Sequence, residues 1–112
     1  MVLLCGMWQQ TPVHAQGYGG HRSIIGRTLG DLRRASRFAR GEREHERIEN
    51  ATRHLREVDR ELSRGRYDRG RFDEAIDDVN NVVRSNNMPP RERDVINDDL
   101  RQLRGLRARE RR

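Results

Sequence analysis

Ile48, Ala51, Leu55, Val58 and Leu62 recur at spacings of three, four, three and four, and no other pattern in this 112-residue chain restricts its fold so tightly. Residues so spaced share one side of an α-helix, whereas on a strand, with its period of two, they would scatter over both faces. The spacing predicts a helix over residues 42–64, roughly 35 Å long. Glu42, Glu44 and Glu46 lie at the positive end of its dipole, Glu49 and Arg53 form a favourably ordered pair one turn apart, and Gly65 follows the last turn.

The periodicity returns twice. Residues 66–70 read as a turn, after which Phe72, Ala75, Ile76, Val79, Val82 and Val83 form a second stripe that ends near Asn86 and Asn87. Met88, Pro89 and Pro90 fix an extended turn and open a third helix, because proline fits the first helical position but not the interior. Val95, Ile96, Leu100 and Leu103 are its expected buried stripe, Gly105 its expected close, and residues 106–112 an arginine-rich frayed tail. Three single-striped helices joined by connections of about five residues or fewer predict an all-α fold, a small antiparallel three-helix bundle over residues 42–105.

A basic amphipathic helix is expected to precede the bundle over residues 27–41. Leu29, Leu32, Ala35 and Ala39 take one side of it and Arg27, Arg33, Arg34, Arg37 and Arg40 the adjoining one, so it can pack as a fourth helix or present its arginines. Phe38 falls off the apolar side. Residues 16–26, with Gly17, Gly19 and Gly20 around Tyr18 and His21, read as a flexible Gly-rich tether.

Residues 1–15 contain no Asp, Glu, Arg or Lys and open on an apolar run from Val2 to Trp8. Val13 and Ala15 stand at the −3 and −1 positions a signal peptidase accepts, so the segment reads as a signal peptide, its positive n-region lying upstream of Met1, and the protein as periplasmic or secreted. Cleavage after Ala15 removes Cys5, the only cysteine, and with it any thiol, disulfide or cysteine-zinc chemistry. No run of 18 apolar residues exists to span a membrane.

All 24 basic residues are arginine, and their placement matters more than the net charge of +6. Residues 16–41 carry six Arg and one Asp, residues 42–100 twelve Arg and sixteen acidic residues, and residues 101–112 six Arg and one Glu. The bundle is therefore acidic between two arginine-rich ends. With 38% charged against 32% hydrophobic residues the core is small, and a homodimer would supply burial that one chain lacks.

Motifs that carry catalytic chemistry do not appear. His45, Glu46 and Glu49 give His-Glu-x-x-Glu, one histidine short of a zinc helix, and Glu42 with His45 gives one Glu-x-x-His where di-iron bundles need two. His54 reads as a surface residue. Asp77–Asp78 and Asp98–Asp99 diverge by 100° within each pair, so each offers at most one ligand to any site, and they read as solvated charges balanced by arginines. There is no phosphate loop and no nucleophile elbow, and the expectation is a non-catalytic protein without cofactors. The arginine stripe lacks the aromatic readers of a nucleic-acid surface and export takes it away from the genome, which leaves an anionic membrane surface or an acidic protein partner.

Gly70, Phe72, Glu74, Ala75 and Ile76, followed by Val79, Val82 and Pro89, resemble the second helix of a tetratricopeptide repeat. The resemblance covers about twenty residues and implies a helical hairpin, not a repeat array. The layout is similar to that of short exported bacterial helical proteins of uncharacterised role. Together these readings predict a protein-interaction or structural module of the bacterial envelope, set against a basic-helix binder of anionic membranes or nucleic acid.

Overall fold

A computed structural model describes residues 18–110, and within them the chain forms four α-helices and no strand: α1 (Gly19–Ala35), α2 (Gly41–Ser63), α3 (Arg69–Ser85) and α4 (Pro90–Arg109). A 3₁₀ turn, Ser36–Phe38, extends α1 toward α2. The helix ends follow local chemistry. Gly65, at φ +78°, closes α2 with a paired C-terminal motif in which its N–H donates to Leu62 O and the N–H of Arg66 to Glu61 O. Asp68 caps α3 by accepting from the Arg71 N–H at 3.1 Å, and Pro90 stands at the first position of α4.

The helices form an all-α bundle in which α1 packs on α2 and α4, and α3 packs on the same two. Arg22 near the start of α1 reaches Asp59 near the end of α2, Arg71 at the start of α3 approaches Glu57 late in α2, and Arg107 at the end of α4 bonds Asp73 early in α3. The core draws on all four helices: Leu55, Phe72, Val79, Val82, Ile96 and Leu103 are almost fully buried, and Ile25, Leu32 and Ala35 of α1 lie among them.

Five expectations are corrected. The Gly-rich tether over 16–26 is helical from Gly19 on, with His21 and Ile25 buried; residues 16 and 17 lie outside the described residues. The reason is a seam hidden by polar members: His21, Ile25, Thr28, Leu32 and Ala35 are spaced four, three, four and three, and all five are buried. Four glycines, at 19, 20, 26 and 30, would make this helix marginal in isolation, so packing rather than propensity sustains it. The basic helix therefore ends at Ala35, not residue 41, and Gly41 at φ +82° instead opens α2.

The frayed tail over 106–112 is ordered up to Glu110, because Leu106 continues the seam of Ile96 and Leu103 and is 4% exposed; Arg111 and Arg112 lie outside the described residues. Gly105 sits inside α4 and does not close it. Val95, expected in the buried stripe, lies off that seam and is 38% exposed. The signal segment, with Val13 and Ala15, lies outside the described residues.

Candidate functional site

Two links meet at one end of the bundle, Ser36–Arg40 between α1 and α2 and Asn86–Pro89 between α3 and α4, and Glu44 ties them together. Its carboxylate accepts the Arg40 N–H at 2.7 Å through Oε1, and through Oε2 the Asn87 N–H at 3.2 Å and the Asn87 Nδ2 at 2.9 Å. Asn86, itself buried, donates Nδ2 to Glu44 O at 2.9 Å and accepts Arg47 Nη1 at 3.0 Å, while Arg93 donates to the carbonyls of Asn86 and Val83. The backbone N–H of Arg40, above all, holds the Glu44 carboxyl below the usual carboxylate range, with Asn87, Arg47 and Arg40 charge adding to it. Glu44 is therefore ionised across the neutral range, and the two links are fixed relative to each other.

Between them runs an open groove of about 470 Å³ lined by Arg37, Phe38, Ala39, Arg40, Asn87, Met88 and Pro89. Phe38 is 38% exposed at its edge. Among the described residues Arg33, Arg37 and Arg40 make no side-chain ion pair, and all three are exposed. The other two arginines of the expected stripe are engaged. Arg27 donates to Asp99 at 3.3 Å and Gln102 at 2.7 Å, and Arg34 bonds Asp31. The stripe is thus split, with two arginines committed to α4 or to their own helix and three exposed, of which Arg37 and Arg40 line the groove with the Phe38 ring.

The opposite end gathers the scarce aromatics. Tyr18, His21, Tyr67 and Phe72 form a cluster in which Tyr18 stacks on Tyr67 at 6.2 Å and His21 meets Tyr18, Tyr67 and Phe72 edge-on or tilted at 5.3–6.2 Å centroid to centroid, and His21 Nε2 lies 3.6 Å from Glu110. Burial lowers the His21 pKa against the opposing pull of Glu110, and burial raises that of the Tyr67 hydroxyl. Between α2 and α3, His54 pairs with Asp78, so it bridges two helices rather than standing free on the surface.

Asp98–Asp99 is corrected in one half: Asp98 stays at the surface with Arg101, but Asp99 is 1% exposed beside the equally buried Asp31. His45, Glu46 and Glu49 are all exposed on α2, and among the described residues no group of three His, Cys, Asp or Glu comes together as metal ligands. No described helix is long and apolar enough to cross a membrane.

Sequence reasoning found Arg33, Arg37 and Arg40 but missed their apolar neighbours. Phe38 was visible only as a residue out of phase with the helix, and Met88 and Pro89 lie some fifty residues further on. Comparison of the chain with protein-family models, curated proteins and solved structures finds no match.

Proposed function

We propose that this protein is a non-catalytic interaction module of the bacterial envelope that binds an acidic segment of a partner protein at its arginine-edged end. The observation that carries the reading is the exposed Phe38 between unpaired Arg37 and Arg40, on the rim of a groove that continues over Met88 and Pro89. Guanidinium groups pair with carboxylates in a planar, two-pronged geometry, and an aromatic ring beside them adds an apolar anchor, the combination enriched at protein contact hot spots. A membrane surface or nucleic acid would use the charges but has less use for a groove lined by Phe38, Met88 and Pro89. In this reading α2, α3 and α4 form an antiparallel three-helix unit, with α1 docked on it so that Arg37, Phe38 and Arg40 share an edge with the α3–α4 link. Placement in the envelope rests on residues 1–15 as a signal segment; mature protein from an envelope fraction beginning at Gln16 supports it, and intact Met1 in the cytosol contradicts it.

The test is fluorescence anisotropy with three probes: a Glu-rich peptide containing one Leu, anionic phospholipid vesicles, and duplex DNA. The peptide is expected to bind at low salt and to weaken as salt shortens the screening length. Replacing Arg33, Arg37 and Arg40 by Ser is expected to weaken it about tenfold or more, from up to ~1 kcal/mol per ion pair. Phe38→Ser is expected to weaken peptide binding while leaving any vesicle or DNA binding unchanged. Peptide that fails to bind at 50 mM salt, or binding indifferent to Phe38, overturns the acidic-segment reading.

A further inference from the structure

We propose that Asp31 of α1 and Asp99 of α4, buried side by side in the helix interface, share a single proton whose loss loosens α1 from α4, making the pair a pH-sensitive latch. Asp31 is 3% and Asp99 1% exposed. One oxygen of each carboxyl has a donor, Arg34 for Asp31 and Arg27 Nε, at 3.3 Å, for Asp99. The other oxygen of each, Oδ2, is buried without any partner. Buried acceptors are rarely left empty, and a carboxyl hydrogen held between the two carboxyl groups serves both.

Electrostatics lead to the same place. Two carboxylates in contact away from water cannot both hold a negative charge cheaply. Burial, then the neighbouring Asp31 carboxyl, push the Asp99 carboxyl up to about 8, with Arg27 pulling the other way. The cleft above the pair, about 390 Å³, is lined by residues of α1 and α4 alone: Arg27, Asp31, Arg34, Asp94, Val95, Asp98 and Asp99. Asp98 is already held by Arg101 at 2.7 Å and Gln102 at 2.9 Å, and Asp94 lies exposed at the rim. With one proton on the pair, its single negative charge is flanked by two guanidiniums. With none, two buried charges repel across the surface that holds α1 in place.

The sign follows from linkage. The folded-state pKa of Asp99 is raised above that of the unfolded chain, so its contribution to stability is full below the unfolded value and is lost as pH rises through the folded one. Asp99→Asn removes the titration and leaves an amide that donates to Asp31 at every pH. His21, lowered by burial, tilts stability the other way at lower pH, so the readout is the difference between variant and wild type.

Urea unfolding of the full chain and of Asp99→Asn from pH 5 to 9, with carbon NMR titration of the wild-type aspartates, tests the latch. The folding constant of the variant relative to wild type is expected to grow about tenfold per pH unit between pH 5 and 7 and to level off above about 8. One carboxyl should titrate near 8, and trypsin cleavage at Arg27 and Arg33 should rise with pH in wild type relative to the variant. A ratio flat from pH 5 to 9, or every carboxyl titrating below pH 5, overturns the proposal. If Asp99→Asn does not fold, the NMR titration of the wild-type chain decides alone.

Discussion

Ile25→Ala is expected to lower the unfolding free energy by about 2–5 kcal/mol, the range for a large aliphatic side chain removed from a packed core. Ile25 is fully buried and stands in the middle of the α1 seam, between His21 and Thr28. The glycines around it, at 19, 20, 26 and 30, offer no side chains to fill the space left behind. Denaturant titration gives the outcome directly. A midpoint equal to that of wild type would mean that residues 18–26 hang free as a tether, whereas the packed helix requires a large fall.

Phe72→Ala is expected to have the largest effect of any single truncation, about 3–5 kcal/mol. Phe72 is 1% exposed, opens α3, and touches both Tyr67 and His21. Its ring joins the α2–α3 link, α3 and the start of α1, so its loss leaves a cavity lined by three parts of the chain and uncovers the buried His21. For a domain with marginal stability, that is enough to leave a substantial unfolded population at 37 °C. Circular dichroism at 222 nm against temperature reads it, and an unchanged melting curve would contradict the packing of this end.

These two positions also show what the sequence made legible. Phe72 announces itself, because its stripe of Ala75, Ile76, Val79, Val82 and Val83 is apolar throughout and ends at a proline pair. Ile25 does not, because its seam alternates apolar residues with His21 and Thr28, and hydrophobic periodicity counts such members as gaps. Thr28 is buried because its hydroxyl is satisfied by the Ile24 carbonyl at 2.8 Å, a bond along its own helix that no apolar count registers. Gly105 misled in the opposite sense, as a helix stop that the packing of Leu106 overrides at a cost of about 1 kcal/mol.

The candidate site divides in the same way. Arg33, Arg37 and Arg40 lie within eight residues of the chain and were visible. Phe38, Met88 and Pro89 become neighbours only because Glu44 clamps two links that are some fifty residues apart. Asp31 and Asp99 are the extreme case. Asp99 reads as a solvated charge and Asp31 only as the one acidic residue of an arginine-rich segment, and their burial follows from the docking of α1 on α4. That docking also bears on the sparse core. The three helices after residue 41 have few large apolar side chains, and Ile25, Leu32 and Ala35 of α1 add to the core they form.

The placement of α1 underlies the core, the orientation of the arginine edge and the carboxylate pair alike, and native-state hydrogen exchange tests it most directly. If α1 is part of the bundle, the amides of residues 24–33 exchange as slowly as those in the middle of α2, α3 and α4, through the same global opening. If α1 is a separate amphipathic helix, a segment of 17 residues with four glycines is marginal in water, and those amides exchange at nearly unprotected rates while the other three helices stay protected.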